Sequence, residues 1–182
     1  FAAINMIYGA AGSGARVMTS SSSPGISLMA EGISYIIGAQ LPCVLVNMVR
    51  GGPGLGNIAP AQSDYNQAVK GTTHGDVHLI VLAPSSIQEA VDLMYDAFDL
   101  ADLYRNPVLV LGDGMIGQMM EPVEFKEATN KKLPPKTWAA TGTRNSPDGK
   151  RRIINSLFME PEDLESLNLA LQKKYKEVVE KE

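Results

Sequence analysis

The chain has 182 residues, of which 45% are hydrophobic and 20% charged, and its formal net charge is -4. This composition is typical of a chain that can bury a core, and it excludes the disordered and collagen-like classes. The acidic pI, about 5.2, excludes a basic surface for nucleic acid, and no apolar run reaches the ~20 residues that span a bilayer. The single cysteine, Cys43, excludes an intramolecular disulfide and favours a reducing compartment, the cytoplasm.

Helices and strands alternate along residues 1–120, and glycine, proline or serine marks most of the boundaries. We predict strands over 15–19, 42–48, 79–82 and 107–111, and helices over 2–14, 24–38, 62–70 and from a cap at Ser85 or Ser86 to about Tyr104. The last three strands are continuously apolar, which is typical of strands buried on both faces of a parallel sheet. The sequence therefore predicts an α/β domain with a parallel sheet.

Charge is sparse in this first part of the chain. Residues 1–120 contain only four basic and nine acidic side chains, which favours a surface that a partner covers. The predicted helix after Ser86 carries apolar residues on one face at helical spacing. We expect the acidic side chains of this helix on the opposite, solvated face; they are Glu89, Asp92, Asp96, Asp99 and Asp102.

The last third of the chain has a different character. Residues 121–182 contain the other twelve basic and eleven acidic residues, and prolines predict irregular structure over 121–160. A helix is predicted over 161–181, with Pro161 at its first position and a narrow apolar stripe. Such a stripe fits either a helix docked on another surface or a loosely held linker helix.

Ligands of parallel α/β sheets bind outside the carboxyl ends of the strands, so the loops that follow strands are the candidate sites. The first of these loops, Thr19–Gly25, combines five hydroxyl groups with the start of a helix. Helix N-termini bind anions and polar groups, which favours a ligand site here. An ordinary serine-rich helix cap explains the same residues equally well.

The second loop begins at Arg50, directly after a buried strand, and contains four glycines. A buried guanidinium group is costly without an anionic partner, so Arg50 needs either an internal acid or a ligand carboxylate or phosphate. The neighbouring glycines allow a ligand or another backbone to approach closely. Asp64 is the internal acid that would make Arg50 purely structural.

Two further polar segments have weaker signals. Gly112-Asp113-Gly114 follows the third apolar strand, but a single carboxylate does not form a magnesium site, so we interpret the segment as a capped turn. His74 and His78 flank a Gly-Asp pair at the start of a strand. We expect a structural role for His78 and leave the role of His74 open.

Several motifs, taken in order, resemble one enzyme family. They are Gly9 with Gly12-x-Gly14, Ser23-Pro24-Gly25-Ile26-Ser27-Leu28-Met29, Leu41-Pro42-Cys43-Val44, Arg50-Gly51-Gly52-Pro53-Gly54-Leu55-Gly56, Gln62 with Asp64, His74-Gly75-Asp76 and Gly112-Asp113-Gly114. Together they resemble the pyrimidine-binding domain of thiamine diphosphate enzymes, and within these the alpha subunit of 2-oxoacid:ferredoxin oxidoreductases. Segments 18–25 and 50–56 look like the branched-chain type, which acts on 2-oxoisovalerate (3-methyl-2-oxobutanoate).

The resemblance implies a three-layer pyrimidine-binding domain over residues 1–120 and an irregular, helical extension over 121–182. It implies oxidative decarboxylation of a branched-chain 2-oxoacid to its acyl-coenzyme A, with electrons passed to ferredoxin. By position, Arg50 matches the family's arginine for the substrate carboxylate. The residues that would line the thiamine diphosphate cleft are Ser23, Pro24, Gly25, Gly51 and Gly52.

The implied partners supply what this chain lacks. A beta subunit would hold Mg²⁺ and the diphosphate end of the cofactor, and 4Fe–4S clusters would lie on the beta, gamma or delta subunits of a hetero-oligomer or dimer. Coenzyme A, ferredoxin and the 2-oxoacid complete the set of partners, with no nucleic acid and no membrane among them. The resemblance assigns no metal ligand to this sequence.

Two parts of the family pattern are expected outside the sequence. The glutamate that contacts the cofactor's aminopyrimidine would lie one residue before Phe1, and a second alpha-subunit domain would follow the last helix. We therefore expect a middle piece of an alpha subunit that is inactive alone. Two other hypotheses stay open: the pyrimidine-binding domain of a non-oxidative thiamine diphosphate decarboxylase or synthase, and a non-catalytic assembly module.

Overall fold

The computed structural model describes residues 1–127, 131–146 and 148–182. Within them the chain forms four strands and five helices. In chain order these are α1 (Ala2–Gly12), β1 (Met18–Ser21), α2 (Pro24–Gly38), β2 (Cys43–Val49), α3 (Tyr65–Lys70), β3 (Ile80–Leu82), α4 (Ile87–Tyr104), β4 (Pro107–Asp113) and α5 (Pro161–Lys181).

The four strands form one parallel sheet in the order β1-β2-β4-β3. Leu45 of β2 lies at the centre of the register, opposite Thr19 of β1 and Leu109 of β4. Because every strand runs in the same direction, all four end at one side of the sheet, which we call the carboxyl edge. The loops after β1 and β2 therefore meet there, as the α/β prediction requires.

Helices cover both faces of the sheet, which gives three layers. Side chains of α1, α2 and α3 pack with Leu45 and Leu109 on one face. Val44, Val46 and the alanines of α4 pack on the other face. The continuous apolarity of β2 and β4 follows from this arrangement, because both faces of these central strands are buried.

Element boundaries agree closely with the sequence, except at β1 and at α3, which begins at Tyr65 rather than at position 62. The bounds of α2 and α5 match the prediction, and the Ser86 hydroxyl accepts the Glu89 N–H at the start of α4. The strand predicted over 15–19 is present, but its bounds are wrong, because β1 starts at Met18 and continues to Ser21. Serines suggested a loop, but on a half-exposed edge strand the backbone pairs with β2 whatever the polarity of the side chains.

The acidic residues of α4 do not all face water. Asp99 and Asp102 are each only 7% exposed, which contradicts the expected solvated face. Arg16 lies 2.7 Å from Asp99 and 2.8 Å from Asp102, and Lys136 lies 2.6 Å from Asp102. Basic residues from distant parts of the sequence neutralise these carboxylates, which a helical periodicity does not reveal.

Helix α5 docks on the rest of the chain, so the alternative of a loosely held helix is wrong. Its Leu171 is 5% exposed and belongs to the core cluster on the α1–α2 face. The ring of Tyr175 packs edge-on against His78, with 4.8 Å between the centroids. Lys174 Nζ donates to the Arg105 carbonyl. No helix of the described residues is long and apolar enough to cross a membrane.

Candidate functional site

The ends of β1 and β2 meet at the carboxyl edge and bring Ser23 next to Arg50. The Arg50 N–H donates to Ser23 Oγ at 3.2 Å. The Ser23 N–H in turn donates to Asn47 Oδ1, 2.9 Å away. These bonds bring together the two segments that the sequence analysis selected as separate candidate loops.

The turn over residues 23–25 is held in an unusual backbone conformation. Ser23 has φ 22°, in the positive region that residues with a side chain rarely adopt, and Pro24 is the first residue of α2. Ser23 occupies the N-cap position, but its hydroxyl makes no capping bond to the helix and instead accepts from Arg50. The ordinary serine-cap interpretation is therefore wrong for Ser23.

Glycine at position 25 is required by a close approach. A Cβ at Gly25 would lie 1.9 Å from Ser21 Oγ, so the start of α2 packs directly against the end of β1. Pro24 has no N–H group and the Gly25 N–H donates to the Ser22 carbonyl at 2.8 Å, so the turn itself pairs the first donor of α2 and fixes the start of the helix at the carboxyl edge.

The loop after Arg50 closes on itself. Arg50 pairs with Pro60 in an antiparallel bridge, and the Gly51 N–H donates to the Ala59 carbonyl at 3.0 Å. Inside the loop the Asn57 N–H donates to the Gly51 carbonyl. The predicted irregular loop is confirmed, and its hydrogen bonds make it a defined structure that starts and ends beside Arg50.

The Arg50 side chain lacks an internal partner at one position. Its Nε is buried and has no hydrogen-bond partner among the described residues. Asp64, the expected internal acid, accepts instead from Asn47 Nδ2 at 3.0 Å. Because a buried N–H of a charged group is costly when unpaired, this atom is suited to an anionic ligand.

Asn47 is the residue that sequence reasoning missed. It is 1% exposed and lies inside β2, where every neighbour in the run Cys43–Val49 is apolar. Both ends of its amide are used, one by Ser23 and one by Asp64. The signal was present in the sequence as one polar residue in an otherwise apolar strand, because a buried polar side chain needs partners.

The segment after β4 forms the capped turn that the sequence predicts. Asp113 Oδ1 accepts the N–H groups of Met115 and Ile116, each at 2.9 Å. The described residues contain no group of three or more His, Cys, Asp or Glu side chains placed to hold a metal ion. Beside this turn lies a cavity of about 650 Å³ whose walls include Val49, Leu111 and Met115.

The two histidines lie before β3, at the opposite edge of the sheet from Arg50. His78 packs on Tyr175 and its Nε2 lies 3.7 Å from Asp76, which supports the structural role predicted for it. His74 Nε2 lies 3.2 Å from Ser34 Oγ. Their contacts are thus with Ser34, Asp76 and Tyr175 rather than with Arg50 or Ser23.

Comparison with known proteins agrees with this geometry. Residues 1–177 match the family described as pyruvate flavodoxin/ferredoxin oxidoreductase, thiamine diphosphate-binding. A solved structure of 2-oxoglutarate:ferredoxin oxidoreductase from Magnetococcus marinus, with 2-oxoglutarate, coenzyme A and succinyl-CoA bound, superimposes with a TM-score of 0.79 at 25% identity. It covers 100% of this chain and 36% of the other.

Curated relatives give the same result. Ketoisovalerate oxidoreductase subunit VorB of Methanothermobacter marburgensis is 53% identical over 181 residues, covering 100% of this chain and 51% of the relative. The 2-oxoglutarate synthase subunit KorA of Methanothermobacter thermautotrophicus is 44% identical over 126 residues, covering 69% of this chain and 33% of the relative. The chain thus spans about half the length of the VorB relatives it matches.

The family match extends over nearly all residues, and it includes both loops of the carboxyl edge. The resemblance inferred from the motifs is therefore confirmed, as is the parallel α/β fold that it implies. The chain belongs to the thiamine diphosphate-binding family of the pyruvate flavodoxin/ferredoxin oxidoreductases.

Proposed function

We propose that this chain forms the pyrimidine-binding half of the cofactor site in the alpha subunit of a 2-oxoacid:ferredoxin oxidoreductase. The substrate is a branched-chain 2-oxoacid, 3-methyl-2-oxobutanoate, which becomes an acyl-coenzyme A while electrons pass to ferredoxin. The observation that carries the proposal is the buried, unpartnered Nε of Arg50 at the carboxyl edge. The name of the 53% identical relatives, ketoisovalerate oxidoreductase, supports the substrate class.

The residues at the carboxyl edge fit thiamine diphosphate. Gly25 leaves no room for a side chain, and open space surrounds the position of a Cβ at Gly52. Ser23, Pro24, Gly25, Gly51 and Gly52 would therefore present backbone groups to the cofactor at close range. When bound, the cofactor supplies a carbon nucleophile and an electron sink for decarboxylation.

Arg50 binds and orients the 2-oxoacid. Its guanidinium group offers parallel N–H donors that match the geometry of a carboxylate. The bond between the Arg50 N–H and Ser23 Oγ fixes the backbone from which the side chain extends. The carboxylate that is lost as CO₂ is thus held at one defined place until its bond to the 2-oxo carbon breaks.

Partner subunits complete this site in the proposal. The beta subunit holds Mg²⁺ and the diphosphate end, 4Fe–4S clusters on the beta, gamma or delta subunits accept electrons, and coenzyme A accepts the acyl group. Large apolar side chains are exposed around the carboxyl edge, among them Leu55, Ile58 and Tyr65. Exposed apolar clusters mark protein interfaces, which supports a hetero-oligomer or dimer.

The domain roles and the compartment also belong to the proposal. Residues 1–120 form the pyrimidine-binding domain, and 121–182 link it to further alpha-subunit structure. The complex works in the cytoplasm, where reducing conditions suit the free thiol of the buried Cys43 and the iron–sulfur clusters.

Replacement of Arg50 in the complete complex tests the proposal. We expect Arg50→Ala to raise KM for 3-methyl-2-oxobutanoate about 10- to 100-fold and to lower kcat, because a charge-assisted contact contributes ~1.5–3 kcal/mol. Arg50→Lys keeps the charge but not the two parallel donors, so its KM should lie between those of Arg50→Ala and the wild type. Steady-state kinetics measures both values.

Arg105→Ala is the matched control, because Arg105 is also partly buried but precedes β4, at the opposite edge of the sheet. It lies 4.5 Å over the ring of Trp138, so its loss should lower stability and leave KM unchanged. Unchanged KM in Arg50→Ala would refute the assignment. If the purified complex contains thiamine diphosphate but lacks iron–sulfur absorbance, the protein is a non-oxidative thiamine diphosphate enzyme. If no thiamine diphosphate is bound at this subunit, the chain is an assembly module.

A further inference from the structure

The side-chain amide of Asn47 is locked in one orientation at the centre of the site. Its Oδ1 accepts from the Ser23 N–H, and its Nδ2 donates to Asp64 Oδ2. A flip of the amide would place NH₂ against a donor and the carbonyl oxygen against a carboxylate. With 1% of Asn47 exposed, water cannot replace either partner. The orientation of the amide is therefore fixed by the two groups that it contacts.

These bonds form a chain of four residues that ends at the substrate-binding arginine. Asp64 precedes α3 and contacts Asn47 of β2, which contacts Ser23 before α2, and Ser23 contacts the backbone of Arg50. The bond that the Ser23 N–H donates to Asn47 Oδ1 holds Ser23 at its positive φ of 22°. Such a conformation persists only where its surroundings impose it. Loss of Asn47 or Asp64 should therefore change the position of Arg50.

We propose that Asn47 and Asp64 are positioning residues that set the orientation of Arg50 toward the 2-oxoacid carboxylate. Neither residue needs to touch the substrate, because both act through Ser23. The inference rests on the proposed function, in which Arg50 binds that carboxylate. The inference also specifies which groups donate and which accept. The residue at position 47 must accept a hydrogen bond from the Ser23 N–H, and one proton must lie between the side chains at positions 47 and 64.

A pair of substitutions with opposite chemistry tests this polarity in the complete complex. Asn47→Asp sets two carboxylates against each other, and we expect binding to weaken at least about ten-fold at pH 8. In the double variant, Asn47→Asp with Asp64→Asn, the carboxylate at position 47 accepts from the Ser23 N–H and the amide at position 64 donates to that carboxylate. The double variant should bind within about three-fold of the wild type.

Binding is measured without turnover by calorimetry with 3-methylbutanoate, which has the carboxylate and branched skeleton of the substrate but no 2-oxo group. Its dissociation constant reports the contact with Arg50 independently of the redox reaction. In Asn47→Asp alone, a proton shared by the two carboxylates at low pH replaces the missing donor. Affinity in this variant should therefore recover between pH 8 and pH 6, whereas wild-type affinity changes little.

Asp64→Ala is a second test, which applies even if the Asn47→Asp subunit does not assemble into the complex. Asp64 is only partly buried and its carboxylate does not cap α3, so the fold tolerates its loss. Removal of the acceptor releases the Asn47 amide, and the dissociation constant should rise about three- to ten-fold. Wild-type affinity in this variant would overturn the proposal.

Asn106→Asp is the matched control, because Asn106 is also a buried asparagine, 2% exposed, and donates to the His78 and Pro107 carbonyls before β4. It should destabilise the subunit and leave the dissociation constant unchanged. If Arg50→Ala loses affinity while the Asn47 and Asp64 variants do not, the positioning inference is wrong and the proposed function stands. If Arg50→Ala also binds normally, the proposed function itself fails.

Discussion

At the scale of single residues, the loop after Arg50 shows which of several glycines the structure requires. Gly54 and Gly56 both have positive φ, of 72° and 59°. A Cβ at Gly54 meets no atom within 4 Å, whereas a Cβ at Gly56 would lie 1.6 Å from the Gly51 carbonyl oxygen. The sequence shows only that glycines are abundant here. The close contact between the backbone at Gly56 and the Gly51 carbonyl makes Gly56 the glycine that cannot be replaced.

Replacement of Gly56 should therefore open the loop. In Gly56→Ala the methyl group displaces the Gly51 carbonyl, which breaks its hydrogen bond from the Asn57 N–H. We expect the Asn57 amide to exchange with solvent much faster than in the wild type, as measured by hydrogen–deuterium exchange and mass spectrometry.

Gly54→Ala is the control for this experiment, because it adds only the strain of a positive φ, about 1–2 kcal/mol. Its Asn57 amide should stay close to the wild-type exchange rate. Equal acceleration in both variants would show that backbone strain, rather than the contact with the Gly51 carbonyl, determines the effect.

At the scale of the elements, helix α5 combines a long exposed surface with a narrow line of contact. Leu171 is 5% exposed, whereas Leu169 on the same helix is 65% exposed. The contacts continue along the helix through Lys174 and Tyr175. The apolar stripe was visible in the sequence, but two structural alternatives fitted it equally, and only the packing of Leu171 into the α1–α2 core decides between them.

Truncation of the buried leucine should detach α5 from the core. We expect Leu171→Ala to lower the free energy of unfolding by ~2–4 kcal/mol, the usual cost of a buried leucine-to-alanine change. Urea denaturation measures the loss, and limited proteolysis detects early cleavage in the helix. Leu169→Ala removes the same atoms from an exposed position and should change stability by less than ~0.5 kcal/mol. A similar loss in both variants would contradict the docking of α5.

At the scale of the whole molecule, the uneven distribution of charge is partly balanced within the chain. The distances are 3.3 Å from Lys126 to Asp92, 3.2 Å from Lys131 to Asp96 and 2.6 Å from Lys136 to Asp102. Successive basic residues of the irregular segment thus pair with successive acidic residues along α4. The pairs of Lys126 and Lys131 are solvent-accessible and contribute little individually, whereas the carboxylate of the third pair, Asp102, is buried. Together the three pairs hold the irregular segment against α4.

Global stability should depend on pH through Lys174. Burial, together with the positive charge of Arg105, lowers the pKa of this amine from 10.5 to about 8. Between pH 8 and 10.5 the unfolded chain binds the proton more tightly than the folded chain, so the free energy of unfolding rises with pH. Burial raises the pKa of the Cys43 thiol from 9.0 to about 12, and burial and a hydrogen bond to Glu182 raise the pKa of Tyr104 from 10 to about 12. These two groups oppose the trend, Cys43 above pH 9 and Tyr104 above pH 10.

Urea denaturation across pH 7–10 measures this dependence. We expect the wild type to become more stable from pH 8 to about pH 9, and Lys174→Met to be more stable at pH 7 and to lack this rise. The exposed Lys173→Met serves as the control and should keep the wild-type slope. A rise in stability between pH 8 and 9 that survives in Lys174→Met would assign the dependence to another group.

Much of the fold was determined by local sequence patterns. Continuous apolarity identified β2 and β4, and serine and proline positions set the starts of α2 and α4. Arg50 was predictable as a candidate because it is an isolated cation directly after a buried strand. The predictions of these elements are confirmed because each depends on neighbouring residues in the chain, where periodicity, capping and burial act. The role of Arg50 stays a proposal.

Tertiary structure alone decided which groups are partners. It buried Asp99 and Asp102 beneath Arg16 and Lys136 and paired Asp64 with Asn47 rather than with Arg50. Within the part of the chain that the structure describes, it left Arg50 Nε without a hydrogen-bond partner. Partners in these contacts lie up to 86 positions apart in the sequence. Hydrogen bonds and ion pairs depend on distances of about 3 Å that only the folded chain establishes, and no local pattern encodes them.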